Sequence, residues 1–243
     1  MASIRNSHPD LSRPRSVREI LATVAALYAS YPLLFLALAL VVVGPYELIV
    51  LAVTSTAPLQ QSSSLTTAII LLLVAFALVG PLVSALYVHA IVALGERRRA
   101  TIASVGPRAI RVLPVVAAAQ IIAGISIGIG FLLFIIPGVY LALRFAVVAQ
   151  VASLEGTDWP GALRRSGELT RRNYARVLTV LVCVYAFNVV LTQIGIQIVG
   201  NASTVWTVLL GIAIATITQS FQALCSAVLY FDLRARSSTR VDS

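Results

Sequence analysis

Lysine is missing from this chain altogether, and charge of either sign is scarce. Only 11% of its 243 residues are charged, eighteen arginines against nine acidic residues. Soluble domains average roughly 25% charged residues, so a water-soluble domain of this size would have too little polar surface to cover itself. The exclusive use of arginine is read as the codon bias of a GC-rich bacterium. Histidine occurs twice, at His8 and His89, and cysteine twice, at Cys183 and Cys225. Each cysteine lies inside an apolar run without the spacing of a metal-ligand set, which reads it as a small hydrophobe packed between helices. Walker, dinucleotide, metal and nucleophile–base patterns are all lacking, so no cofactor and no metal are expected. The first apolar run is too long for a secretory leader and has no small-residue cleavage site, so no signal peptide is expected.

What is present is apolar sequence. Hydrophobic residues make up 59% of the chain, in blocks of about twenty or more, the length that crosses a hydrocarbon core of roughly 30 Å as a helix. Residues 1–15 read as a disordered cytoplasmic tail. From Ser16, a helix cap, the residues Val17, Ile20, Leu21, Val24, Leu27 and Tyr28 recur at helical spacing, which predicts an amphipathic helix suited to the headgroup region. Tyr31-Pro32 ends it and Leu33 to Val53 is a first span. An uncharged loop, Thr54 to Ser64, leads to a second span, Leu65 to Leu94, with a kink expected at Gly80-Pro81.

A basic loop follows, Glu96 to Arg111, in which Ile102, Val105, Ala109 and Val112 suggest a second short surface helix. Val112 to Ile136 is a third span, with Gln120, Gly124 and Gly128 on one face. A single helix from Val112 to Leu154 would run about 65 Å at 1.5 Å per residue, twice the membrane core. Pro137-Gly138 is therefore read as a hairpin apex and Val139 to Leu154 as a short fourth span. Glu155 to Arg176 returns to water, with a helix begun at Pro160 on which Glu168 can pair with Arg164, Arg171 and Arg172. Its thin apolar face lies shallowly or against protein. Val177 to Val199 and Val205 to Phe231 are the fifth and sixth spans. Three times a surface helix precedes a pair of spans, from Ser16, Thr101 and Trp159, a hint of threefold repetition.

Four segments hold four, five, five and three arginines, seventeen of the eighteen, and they alternate with three loops that hold none. The positive-inside tendency then gives six spans with both termini in the cytoplasm of a bacterial inner membrane. Because the arginines sit between spans, the +9 charge calls for no nucleic-acid partner. The expectation is an all-α polytopic bundle, residues 16–232 forming one six-helix membrane domain with interfacial helices on the cytoplasmic side, and residues 233–243 a basic tail.

Charges at membrane depth come first among candidate sites. Glu47 and Arg144 both fall roughly 9–10 Å below the outer rim when counted at 1.5 Å per residue. They are expected to face one another, with Tyr46 and Tyr140 nearby, as a structural clamp or a substrate site. Asn188, Thr192, Gln193 and Gln197 on the fifth span, with Thr216, Gln219, Ser220 and Gln222 on the sixth, read as interhelical glue or a polar path. Arg164, Arg165, Arg171, Arg172 and Arg176 are placed to meet an anionic headgroup or a protein partner, or serve topology alone.

Several ordered stretches carry a family resemblance: Arg13 to Leu21, Ile136-Pro137-Gly138-Val139-Tyr140-Leu141-Ala142-Leu143-Arg144, Leu154-Glu155-Gly156, Ala162 to Ser166 through Glu168-Leu169-Thr170, and Leu229 to Arg234. Together they resemble a bacterial membrane-domain family named after the membrane part of glycerophosphoryl diester phosphodiesterases. The resemblance implies a membrane module without the barrel domain and without its hydrolysis, whose histidines and clustered carboxylates are lacking here. Gly167 departs from the bulky aromatic expected of that family, which bears on how the basic helix docks. The function expected is a non-catalytic module that recognises lipid or supports a membrane assembly, alone, with a protein partner or as a homo-oligomer. The alternative is a small transporter or permease subunit using Glu47, Arg144 and the polar faces of the last two spans, which a water-filled midplane cavity lined by those residues would favour.

Overall fold

The computed structural model describes residues 15–55, 63–96, 98, 100–199 and 204–238. Among these every regular element is helical, and six helical runs are long and apolar enough to cross a membrane: Pro32–Val53, Leu65–Gly95, Ile102–Leu133, Ile135–Leu154, Tyr174–Ile198 and Val205–Ser238. The chain is a multi-pass helical membrane protein. The first uncharged loop lies largely outside the described residues, as do most of the two terminal tails.

Helix α1 (Val17–Ser30) begins at a capping box, in which the Ser16 N–H donates to Glu19 Oε2 (2.7 Å) and Ser16 Oγ accepts the Glu19 N–H (3.2 Å). Both orphan donors are thereby satisfied within four residues. Its apolar stripe, Ile20, Val24 and Leu27, is fully buried. That stripe packs against α2 (Pro32–Ser55) and α10 (Thr204–Ser238), and the opposite face of α1 is exposed.

The second span is α3 (Ser63–Val74) and α4 (Gly80–Gly95) joined by one π-helical turn, Ala75–Val79. Pro81 has no N–H to continue the ladder. The Gly80 N–H reaches back five residues to the Ala75 carbonyl, which absorbs the mismatch. The fully buried Tyr87 of α4 donates its hydroxyl to the Phe35 carbonyl of α2 and lies 2.7 Å from the Ser220 hydroxyl of α10.

The surface helix and span expected around Val112 are one continuous element, α5 (Ile102–Leu133), capped by Thr101. The hairpin that follows is present, but its apex is Phe134, in extended conformation (φ −160°, ψ 156°), rather than Pro137-Gly138. Those two residues fall in the first turn of α6 (Ile135–Arg144), where a missing N–H costs nothing. Gly138 serves close packing: a Cβ on Gly130 would lie 2.9 Å from the Gly138 Cα.

The fourth span is not one helix. It breaks at 145–147, between α6 and α7 (Val148–Leu154), without proline or glycine. The cause comes from α8 (Trp159–Thr170), capped by Asp158 through the Gly161 N–H (3.1 Å). In an unbroken helix the Arg144 carbonyl would accept from the Val148 N–H. Here it accepts instead from the Ser166 (2.9 Å) and Thr170 (3.3 Å) hydroxyls, and the Val148 N–H turns to the Phe145 carbonyl (3.2 Å). The expected surface helix α8 therefore docks on protein, burying Ala162, Ser166, Gly167, Leu169 and Thr170.

After α8 the chain turns into α9 (Tyr174–Val199) and then α10. The buried Asp232 of α10 binds Arg176 (3.1 Å) and Arg236 (3.0 Å) and accepts the Arg15 N–H (2.5 Å), while both guanidiniums also donate to the Arg15 carbonyl. Both ends of the described chain thus meet at one end of the bundle. Buried residues gather toward that end: Phe35 to Val43 on α2, Val83 to Leu94 on α4, Val105 to Ala123 on α5 and Thr216 to Ala235 on α10. Residues 65–78 and 182–198 are largely exposed on the outside of the bundle.

Two substitutions test this account. Ser166→Ala combined with Thr170→Val strands the Arg144 carbonyl and is expected to cost about 1–3 kcal/mol, seen as a lower Tm in detergent and altered exchange of the Val148 amide. Asp232→Asn leaves two guanidiniums without their carboxylate and is expected to cost on the order of 3 kcal/mol or more, seen as a larger loss of Tm.

Candidate functional site

The diverted carbonyl fixes where Arg144 points. Its side chain passes over Gly167, where a Cβ would lie 2.9 Å from Arg144 Nε, and its guanidinium carbon sits 5.9 Å from the centre of the Phe145 ring. Gly167 is therefore the clearance for this side chain. Arg144 Nε is buried with no hydrogen-bond acceptor, and no carboxylate pairs with Arg144 among the described residues.

One turn earlier, the Tyr140 ring packs edge-on to Tyr174, the first residue of α9, at 5.6 Å. The charges of Arg144 and Arg171 bear on both tyrosine hydroxyls. Two cations and two hydroxyls converge here with no anion.

The expected pairing of Arg144 with Glu47 is not formed. α6 packs on α5, α8 and α9, whereas α2 packs on α1, α4 and α10, so the two charges belong to different faces of the bundle. Glu47 is half-buried on α2. Beside it the Tyr46 hydroxyl donates to the Leu71 carbonyl of α3 (3.0 Å), away from Tyr140.

The five arginines around α8 divide. Arg165 is held by Glu155 (3.1 Å) and Glu168 (3.4 Å), and Glu155 also accepts the Tyr230 hydroxyl (2.9 Å). Arg176 belongs to the Asp232 knot. These two arginines tie elements of this chain together and are not offered to a headgroup. Arg164 is exposed beside Glu168 (3.8 Å); Arg171 and Arg172 are exposed and form no ion pair among the described residues. Glu168 thus takes Arg164 as expected, with Arg165 in place of Arg171 and Arg172.

The polar faces of the last two spans do not meet each other. α9 and α10 touch through Phe187 against Phe221 (ring centres 4.2 Å apart) and through Gly195, where a Cβ would lie 2.1 Å from Ile214. Thr192, Gln193 and Gln197 are exposed on α9 and Asn188 is half-buried. Thr216 turns its hydroxyl to the Ile212 carbonyl of its own helix (2.7 Å).

Gln219 and Gln222 face elsewhere, into a cavity of about 110 Å³ beside the break in the fourth span, which they line with Ser84, Gln120, Gln150 and Ser226. Gln120 sits on the face where a small-residue stripe is expected, and of the two glycines there only Gly124 makes a close approach, to the Phe76 ring. Ser84, Gln150 and Ser226 are the residues the sequence reading missed. Each is a polar group within an apolar run, the same signal that singled out Gln219. Among the described residues no three His, Cys, Asp or Glu side chains converge.

The architecture defines a class, the six-span helical membrane proteins. Comparison of the chain with protein-family models, with curated proteins and with solved structures finds no match.

The fit at Gly167 is open to a direct check. Gly167→Phe drives a ring into the space of the Arg144 side chain and is expected to cost about 1–3 kcal/mol, measured as a fall in Tm.

Proposed function

We propose that this protein is a non-catalytic membrane module of the bacterial inner membrane, both termini cytoplasmic, that binds an anionic phospholipid headgroup at Arg144, Arg171, Tyr140 and Tyr174. The observation that carries the reading is the buried, acceptor-less Nε of Arg144. Arg144 is half-buried and bonds the Tyr140 hydroxyl, but its Nε has no acceptor and no carboxylate faces it among the described residues; a lipid phosphate supplies both the charge and the paired oxygens that suit a guanidinium. Arg165 and Arg176 on the same elements are neutralised from within the chain, so Arg144 stands apart from them.

Exposed Arg171 adds attraction of about 1 kcal/mol near an anionic surface, and two tyrosine hydroxyls suit the glycerol and phosphate oxygens. Sidedness follows from the arginine distribution and is supported by the contact of Arg15 with Asp232. The resemblance to phosphodiesterase-associated membrane domains agrees with a module of this kind, and no step of catalysis is assigned.

Native mass spectrometry of the protein released from nanodiscs of phosphatidylglycerol and phosphatidylethanolamine tests the reading. Phosphatidylglycerol is expected to be retained over phosphatidylethanolamine about tenfold. Arg144→Gln should remove most of that preference without loss of Tm, and Arg164→Gln should leave it unchanged. No preference in the wild-type protein, or an equal one in Arg144→Gln, would overturn it.

A further inference from the structure

The amide-lined cavity is a second place where polarity is left open, and it does not depend on the lipid site. Its walls come from α4, α5, α7 and α10, at the π-turn that ends at Gly80 and the break at 145–147. Six polar side chains reach it: Ser84, Gln120, Gln150, Gln219, Gln222 and Ser226. Gln150 is 2% exposed, and Oε1 of both Gln150 and Gln120 is buried without a hydrogen-bond partner.

Interhelical glue would bond these groups to one another, as Tyr87 does with Ser220. Unpaired amides in such surroundings are costly, so the cavity is shaped for an occupant that completes their bonds. Interrupted helices at membrane depth are likewise tolerated where they line a cavity.

We propose that this cavity binds a small uncharged solute carrying both hydrogen-bond donors and acceptors, of the simple amide or short polyol class. Each lining amide offers a donor and an acceptor, and each serine hydroxyl both, so a bifunctional neutral molecule satisfies the most groups. The lining includes no charged side chain. The nearest along the chain is Arg144, which precedes the lining residue Phe145 and disfavours a cation, while the orphaned amide oxygens disfavour an anion. At roughly 30 Å³ per water, the space takes the equivalent of three or four waters, or a solute of about four to six heavy atoms. Gln222, exposed on α10, marks the way in.

Saturation-transfer NMR on the full chain in nanodiscs tests this, with acetamide and glycerol as probes and acetate as the charged isostere of acetamide. Acetamide and glycerol are expected to receive saturation and to compete, and acetate to receive little. Gln150→Leu and Ser226→Ala should each weaken the signal about threefold to tenfold, the worth of a hydrogen bond, and Gln150→Leu should keep or raise Tm, since its amide has no protein partner. Where Gln150→Leu does not fold, Ser226→Ala alone decides. Silence from both neutral probes, which would leave water as the only occupant, overturns the proposal. So does an equal signal from acetate, or a signal that neither variant changes.

Discussion

A single backbone carbonyl, that of Arg144, determines more of this structure than any side-chain pair. By accepting the hydroxyls of Ser166 and Thr170 it gives up the Val148 N–H, and the fourth span parts there into α6 and α7. The exchange is nearly balanced in hydrogen bonds, because the Val148 N–H finds the Phe145 carbonyl instead. What changes is direction. α7 sinks wholly into the core, with Val148 through Ser153 all buried, and carries Gln150 to the interior, while the Arg144 side chain is turned toward Gly167 and the start of α9. Both open polar sites are consequences of one redirected bond.

The rest of the bundle holds this arrangement rigid at one end only. Asp232 gathers Arg176, Arg236 and the Arg15 backbone, Glu155 gathers Arg165 and Tyr230, and Tyr87 joins three helices. Buried ion pairs add little net stability over apolar packing, yet breaking one is expensive, so the knot resists opening more than it drives folding. Toward the opposite end the helices present apolar side chains to lipid, where no hydrophobic force holds them together. The outcome is a base packed like a soluble core with less tightly packed spans rising from it.

Much of this was legible in the sequence because it is local. Six apolar blocks, the cap at Ser16, the helix start at Pro160, and the distribution of arginine each depend on residues within a few positions of one another. The break at 145–147 was not legible. Phe145, Ala146 and Val147 are ordinary helix residues in a membrane, and the instruction to break lies at Ser166 and Thr170, in a helix whose docking no periodicity announces. Glu47 and Arg144 were put together for another reason: counting residues from an apex gives depth but not facing, and α6 packs on α5, α8 and α9 whereas α2 packs on α1, α4 and α10. Pro137-Gly138 misled in a smaller way, since proline is as acceptable just inside a helix as at a turn.

Two kinds of unmet polarity remain in one molecule, and they differ in what can satisfy them. Around Arg144 the deficit is of charge, which a neutral molecule cannot relieve and a phosphate can. Around Gln150 the deficit is of direction-specific hydrogen bonds without charge, which an ion would satisfy on one side while leaving the amide's other half unpaired. Phe145 stands between the two, lining the cavity and with its ring centre 5.9 Å from the guanidinium carbon. The same short break thus borders a cation on one side and a neutral interior on the other. A proline at position 148 would free the same Arg144 carbonyl whether or not α8 were docked. A break made by hydroxyl groups on a docked helix ties the geometry of both sites to whether α8 stays in place.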